Sequence, residues 1–138
     1  MTTRHHGRVV VVIDDDEAVC DALATLVAAH GFPSTTFTLG RDALRYVRAG
    51  ASPRLILVDA RMPDLDGWQF LAELGRIGAT HPFSAFLMSA DTVVDERRAR
   101  ELGARGILHK PFDLEELSTV IRVHCTDTAE SLILGTPA

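Results

Sequence analysis

The sequence predicts an α/β fold, a doubly wound three-layer sandwich in which five βα units surround one parallel sheet. Short uninterrupted apolar runs alternate with amphipathic helical patterns along the chain, and the runs are rich in the β-branched residues typical of strands buried on both faces. A chain of 138 residues suits one such domain, since domains commonly hold roughly 100–150 residues. We therefore expect one domain over residues 8–125, a disordered tail over 1–7 and a C-terminal tail over 126–138.

The first three predicted elements occupy the N-terminal part of the chain. Val9 to Ile13 contains no charged residue and should form a central strand. The apolar residues of one face predict a helix from Glu17 to His30, and Gly31 supplies a left-handed stop. A short strand near Ser34 to Phe37 should follow.

The remaining elements follow the same rules, with apolar runs as strands and glycines near the helix ends. The expected strands are Leu55 to Val58, Phe83 to Met88 and Gly106 to His109. The expected helices lie between Gly40 and Gly50, from Trp68 to where the pattern fades at Gly75 and Gly78, from Asp95 to Leu102, and after Asp113 to near Cys125. Asp113 and Glu116 have the spacing of a capping box.

Composition narrows the classes of function. The formal net charge is −5, and no run of Lys or Arg extends along a predicted helix. We therefore expect no direct binding of nucleic acid. The apolar run near the start is too short for a membrane span or signal peptide, which favours a cytoplasmic protein without a membrane partner. Cys20 and Cys125 lie far apart, and the six His residues show no ligand spacing, so we assign them neither a disulfide nor a metal.

Polar residues directly follow four of the predicted strands. Asp14 and Asp15 follow the first strand, Asp59 the third, Ser89 the fourth and Lys110 the fifth. The carboxyl ends of parallel strands meet at one edge of a doubly wound sheet, so these side chains should lie together on one rim.

Three neighbouring carboxylates raise one another's pKa values, so such a cluster calls for a cation. Oxygen ligands select a hard ion, and Mg²⁺ fits best. A phosphoryl group would then fit between the metal and the ammonium group of Lys110, with a hydrogen bond from Ser89. Asp59 would be the in-line nucleophile, because a metal screens the repulsion between two anions that must meet.

Four motifs together resemble the receiver domain of bacterial two-component response regulators, the chemotaxis-regulator-like phosphoacceptor family. They are VVVVIDDDEAV, LILVDARMPDLDGWQFL, FLMSA and ILHKPF. The resemblance spans Arg8 to Cys125, and the spacings from Asp15 to Asp59, Ser89 and Lys110 also match the family. It implies a flavodoxin-like sheet with strand order 2-1-3-4-5.

The resemblance also implies roles for single residues at the acidic rim. Asp59 is similar to the family's phosphoacceptor. Asp14 and Asp15 resemble its acidic metal-binding pair, which with Asp59 and the main-chain carbonyl of Arg61 would bind Mg²⁺.

Further roles concern the switch. Ser89 resembles the hydroxyl that swings toward the phosphoryl group, and Lys110 the phosphate-binding lysine, followed through a cis bond by Pro111. Lys110 is also the chain's only Lys. Ile107 stands where the family usually has Tyr or Phe, so either Ile107 transmits the signal by a smaller repacking or the output mechanism has diverged.

The function implied is a signalling switch rather than an enzyme. The chain would take a phosphoryl group from a histidine kinase or phosphotransfer protein, change its contact surface and lose the group by slow self-hydrolysis. The region of helix four, strand five and helix five would face partners and is where a homodimer would form. We further hypothesise that Arg61 and Asp91 flank the phosphoryl group and tune its lifetime.

Other interpretations stay open at this point. A haloacid-dehalogenase-like phosphatase would use Asp14 as nucleophile and Asp16 as acid/base, although no cap segment is evident. An interaction module that no longer takes a phosphoryl group is a third possibility. The acidic run from Asp14 to Glu17 is by itself also typical of a first helical turn. Asp64, Asp66 and Gly67 are interpreted as loop and cap residues, and Trp68, Phe70 and Phe112 as packing residues.

Overall fold

The computed structural model describes residues 9–77 and 83–125, within which a five-stranded parallel sheet has the order β2-β1-β3-β4-β5. The strands are β1 Val10–Ile13, β2 Ser34–Phe37, β3 Leu55–Asp59, β4 Ser84–Ser89 and β5 Gly106–His109. The helices are α1 Glu17–Ala29, α2 Gly40–Arg48, α3 Gly67–Ile77, α4 Glu96–Glu101 and α5 Leu114–Cys125. The predicted fold class and strand order are confirmed.

Side chains alternate between the two faces of the sheet and create two apolar layers. Val11 and Ile13 pack on the side covered by α2, α3 and α4. Val10 and Val12 pack on the side covered by α1 and α5. Each fully buried aliphatic side chain contributes roughly 1.5–3 kcal/mol, so burial on both faces explains why β1 contains no charged residue.

Most predicted boundaries agree with the structure to within a residue. β1 begins at Val10 rather than Val9, β4 is shifted one residue toward the C-terminus, and β3 includes Asp59 itself. Gly31 ends α1 with a φ of 86°, as predicted. The predicted tails, residue 8 and Gly78 lie outside the described residues.

The sequence pattern predicts that α3 fades at Gly75 and Gly78, and Gly75 does not interrupt the helix. The helix continues through Gly75 to Ile77. A glycine inside a helix costs only about 1 kcal/mol, and the burial of Phe70, Leu71 and Leu74 on the same helix offsets that cost.

Helix caps explain several acidic residues near the rim. Asp16 caps α1 by accepting from the N–H of Ala18 at 2.9 Å, so the first-turn interpretation holds for Asp16. Asp113 caps α5 by accepting from the N–H groups of Glu115 and Glu116. Cap residues of this kind begin a helix by satisfying its free N–H groups.

The loop before α3 also behaves as predicted. Asp66 and Gln69 form a reciprocal capping box with two bonds of 2.9 Å. Asp64 has a positive φ of 78° and pairs with Arg41 of α2. These contacts fix the path of the chain from the end of β3 into α3.

None of the helices within residues 9–77 and 83–125 has the length and apolar character that crossing a membrane requires.

Candidate functional site

Main-chain hydrogen bonds align the carboxyl ends of the strands. The N–H of Asp14 donates to the carbonyl of Phe37 at 3.0 Å, and the N–H of Ala60 to that of Met88 at 2.8 Å. The N–H of Lys110 donates to the carbonyl of Ser89 at 2.8 Å. Each bond joins residues at the ends of neighbouring strands, so the polar residues that follow the strands share one rim.

The rim brings three carboxylates and one ammonium group together. One oxygen from each of Asp14, Asp15 and Asp59 can be chosen so that all three lie within 4.8 Å of one another. The Nζ of Lys110 lies 2.7 Å from Oδ2 of Asp14 and 3.4 Å from Oδ1 of Asp59. Four of the five residues predicted from strand ends therefore form one cluster.

Asp14 is fixed on several sides. It is fully buried, and its Oδ1 accepts from the N–H of Asp16 at 2.9 Å while its Oδ2 accepts from Lys110. Its main-chain carbonyl accepts from the thiol of Cys20 at 3.3 Å. Asp14 is thus a structural carboxylate held by internal donors, whereas Asp15 is exposed and lines the open cleft.

Asp59 is 7% exposed at the end of β3. Burial and the negative charge of Asp14 raise the pKa of Asp59, and the ammonium of Lys110 acts in the opposite direction. A cation near Asp59 would favour its ionised form. Lys110 alone therefore does not compensate the effect of burial and of Asp14 on Asp59.

Lys110 keeps its charge in the cluster. Burial alone would lower the pKa of Lys110, but the hydrogen bond and charge of Asp14, with those of Asp59, outweigh burial and raise that pKa. The Lys110–Pro111 peptide bond is cis, as the family resemblance implied. Lys110 is therefore a fixed cation opposite the two buried carboxylates.

Ser89 lies at the end of β4 and is 2% exposed. Its Oγ accepts from the N–H of Asp91 at 3.0 Å. The hydroxyl therefore fixes the start of the loop toward α4, and its own proton is not required for that bond.

An ion pair joins Arg61 and Asp91 in the lining of the open cleft. Two N–H groups of Arg61 donate to Oδ2 of Asp91 at 3.1 and 3.2 Å. Both residues line an open cleft of about 500 Å³ together with Asp15, Asp66 and Trp68. The sequence predicted that Arg61 and Asp91 flank the site but gave no sign that they pair with each other.

Gly67 makes a close approach beneath Asp59. A Cβ at Gly67 would collide with the carbonyl oxygen of Asp59, and it would lie 2.8 Å from Cδ1 of Leu87. The N–H of Gly67 also donates to the carbonyl of Ala60 at 3.2 Å. The first residue of α3 must therefore be glycine if the end of β3 is to keep this position.

The aromatic and apolar residues named from the sequence are packing residues. Ile107 is 8% exposed and belongs to the layer beneath α2, α3 and α4. Phe70 is fully buried, and Phe112 packs partly buried on the opposite layer. Trp68 also packs partly buried, and the guanidinium of Arg98 in α4 lies 5.2 Å from its ring centroid.

The sequence did not reveal the contact between the Cys20 thiol and the carbonyl of Asp14, or the steric role of Gly67. Cys20 follows from the helical pattern as a buried residue, but no pattern shows that its thiol meets a carbonyl of the acidic turn. Gly67 was interpreted as a cap residue, because a close approach between a helix and a strand end leaves no periodic signal. The ligand role of the Arg61 carbonyl stays a prediction.

Comparisons with known proteins point to one family. The family model of the response regulator receiver domain matches residues 10–122. Protein PilG of Pseudomonas aeruginosa is 34% identical over 125 residues, which cover 90% of this chain and 92% of PilG. The transcriptional regulatory protein PcoR of Escherichia coli is 34% identical over 113 residues, which cover 82% of this chain and 49% of PcoR. The chain thus spans about half the length of PcoR.

A solved structure supports the fold. It is the co-crystal structure of the Saccharomyces cerevisiae histidine phosphotransfer signaling protein Ypd1 and the receiver domain of its downstream response regulator Ssk1. The match has a TM-score of 0.76 at 20% sequence identity, and it covers 85% of this chain and 88% of that chain.

Gly67→Ala should destabilise the protein by about 2 kcal/mol, because the added methyl group overpacks the end of β3. Gly75→Ala is the matched control on the same helix, since a Cβ there meets nothing within 4 Å; it should stabilise by up to about 1 kcal/mol. Urea unfolding measures both. Equal effects of the two substitutions would contradict the close approach.

Asp59→Asn should stabilise the metal-free protein at neutral pH by on the order of 1 kcal/mol. Because the folded-state pKa of Asp59 is raised, its ionised form costs folding free energy above that pKa. The cost shrinks as the pH falls through the folded-state pKa and is absent below the ordinary value of 3.8.

Urea unfolding at neutral pH and at about pH 4 tests this, because the gain should be smaller at the lower pH. Asp16→Asn is the control, since Asp16 is exposed and Asn retains a capping oxygen. A gain that does not depend on pH would contradict the raised pKa of Asp59.

Proposed function

The chain belongs to the response regulator receiver domain family, and from that premise we propose that Asp59 accepts a phosphoryl group from a histidine kinase or histidine phosphotransfer protein in a magnesium-dependent reaction. Receiver domains of two-component response regulators are phosphoacceptor signalling modules rather than conventional enzymes. The observation that carries the proposal is the position of Asp59 at the end of β3, beside both Lys110 and the acidic pair.

The donor set suits a divalent ion. Receiver domains bind Mg²⁺ at an acidic pocket, and the oxygens of Asp14, Asp15 and Asp59 are hard ligands close together. Because both oxygens of Asp14 already accept from internal donors, Asp15 and Asp59 would bind the ion more directly, with the main-chain carbonyl of Arg61 as a further ligand. When bound, the ion would screen the charge of the incoming phosphoryl group.

The transfer step is a displacement at phosphorus. An oxygen of Asp59 forms the new O–P bond as the N–P bond of the donor phosphohistidine breaks, and the electron pair of that bond leaves with the imidazole, which is protonated. Lys110 neutralises peripheral oxygens of the phosphoryl group. In self-hydrolysis, water attacks phosphorus and the O–P bond breaks with its electron pair on the oxygen of Asp59, which becomes a carboxylate again. The oxygen of the water leaves in inorganic phosphate, and its protons pass to the phosphate and to solvent.

The same contacts support a switch. We propose that the hydroxyl of Ser89 turns from the N–H of Asp91 toward the phosphoryl group and thereby changes the loop to α4. Because Ile107 is buried, it would respond by a small repacking in place of the aromatic swing. The contact between Ser89 and Asp91 would thus link phosphorylation of Asp59 to a change at the surface of the domain.

Partners follow from the family and from the surface. Ssk1 is the downstream response regulator of the phosphotransfer protein Ypd1, and we propose that this chain likewise meets a histidine-bearing donor. Val93, which precedes α4, and Leu114, the first residue of α5, are 88% and 67% exposed. These exposed apolar residues support the region of α4, β5 and α5 as the surface for partners or a homodimer. The absence of nucleic-acid binding and the cytoplasmic location stay predictions from the sequence.

The phosphatase alternative fits the contacts less well. Asp14, its nucleophile, is fully buried and both of its oxygens accept hydrogen bonds. Asp16, its acid/base, caps α1. Neither carboxylate is available in the way that such a reaction needs.

Incubation with Mg²⁺ and acetyl phosphate should add one phosphoryl group to Asp59, because the acceptor lies beside both the acidic pair and Lys110. Intact mass and peptide mapping measure the label. Asp59→Asn should abolish it, whereas Asp16→Asn, the control on the same rim, should retain it. Phosphate release that survives Asp59→Asn but is lost in Asp14→Asn would support the phosphatase. If the wild type shows neither label nor phosphate release, the result would support an inert module.

Arg61→Ala and Asp91→Ala should each shorten the lifetime of the aspartyl phosphate by about two- to fivefold, because each change breaks an ion pair in the lining of the cleft and gives water more access. The double variant should shorten the lifetime little more than either single variant, because each single substitution already removes the same ion pair. Release of labelled phosphate measures the lifetime. Arg76→Ala, which breaks an exposed pair with Glu73 on α3, is the control and should leave it unchanged.

A further inference from the structure

The thiol of Cys20 contacts the turn that carries the acidic pair. Cys20 lies in the second turn of α1 and is 3% exposed. Its Sγ lies 3.3 Å from the carbonyl oxygen of Asp14 and 3.7 Å from that of Phe37. These carbonyls stand at the ends of β1 and β2, so one thiol links the helix to two strand ends.

The carbonyl of Asp14 needs this donor. Asp14 is fully buried, and an unpaired buried carbonyl is costly. The carbonyl of Phe37 already accepts from the N–H of Asp14 at 3.0 Å, so the stronger thiol contact is with Asp14, where the distance is also shorter. The Cys20 thiol therefore closes the main-chain hydrogen bonding of the residue that begins the acidic turn.

The thiol is held in the form that donates. Cys20 is buried, and burial favours the neutral thiol over the thiolate, so the sulfur can act as a donor. A neutral S–H is a weak donor, but here it is enclosed with its acceptor, where no water competes for the carbonyl.

We propose that Cys20 is a positioning residue for magnesium binding, holding the main chain of Asp14 so that Asp14 and Asp15 stay within reach of Asp59. The inference rests on the proposed function, because it concerns the same acidic cluster. Asp14 is fixed through its side chain by Lys110 and Asp16 and through its carbonyl by Cys20. Without the Cys20 contact the turn can relax, and magnesium binding must then offset the free-energy cost of ordering the turn again.

The test compares three substitutions of Cys20. Ala and Val remove the donor, and Val roughly keeps the volume of the thiol. Ser keeps a donor at similar size. The matched control is Cys125→Ala, because Cys125 is also fully buried but lies at the C-terminal end of α5, away from the strand ends that carry the cluster.

Magnesium dissociation constants are measured by calorimetry with MgCl₂, and urea unfolding confirms that each variant is folded. Cys20→Ala and Cys20→Val should raise the dissociation constant about three- to tenfold, as for the loss of one hydrogen bond. Cys20→Ser and Cys125→Ala should stay within about twofold of the wild type. In labelling by acetyl phosphate, the Ala and Val variants should need more Mg²⁺ yet reach the wild-type rate at saturation.

The outcomes separate this inference from the function on which it rests. If the wild type takes up no Mg²⁺, the proposed function fails. If the wild type binds Mg²⁺ and either folded donor-free variant binds it equally well, the positioning role of Cys20 is wrong. Equal loss in Cys20→Ser and Cys20→Ala would also overturn it, because the effect would then not depend on a donor.

Discussion

The balance of charge at one edge of the sheet is the constraint on which the site depends. Three carboxylates meet there, and Lys110 is the cation placed against Asp14 and Asp59. With all four groups ionised, one ammonium leaves two negative charges, which a divalent ion would neutralise. The raised pKa of Asp59 shows that burial and Asp14 together outweigh Lys110. The folded chain therefore carries a deficit of positive charge at the residue proposed to accept the phosphoryl group.

The rest of the fold serves to hold that edge together. Main-chain bonds between strand ends, the capped start of α1, and the close approach of Gly67 all fix residues that directly precede or follow the cluster. The apolar layers on both faces of the sheet provide the rigid support. Because functional groups lie at ends of well-packed strands, their separation is set by the sheet spacing rather than by flexible loops.

The sequence predicted what depends on periodicity and chain order. Buried strands have a clear pattern, and the residue after each strand end is then known, so Asp14, Asp59, Ser89 and Lys110 could be placed on one rim. What it could not predict depends on distances between residues far apart in the chain. The pairing of Arg61 with Asp91, the thiol contact of Cys20 and the steric limit at Gly67 leave no periodic signal. The pattern also could not place the end of α3 more closely than between Gly75 and Gly78, because packing outweighs the low helix propensity of Gly75.

The contacts of Asp14 also indicate how a metal and Lys110 would share the cluster. Asp14 accepts from Lys110 and from the N–H of Asp16, so its charge is already largely compensated by the protein. Asp15 is exposed and Asp59 has only the longer contact with Lys110 at 3.4 Å, so these two carboxylates have more to gain from an added cation. A divalent ion would then relieve Asp59 without displacing Lys110 from Asp14. Lys110 would stay in place, and both cations would face the phosphoryl group on Asp59.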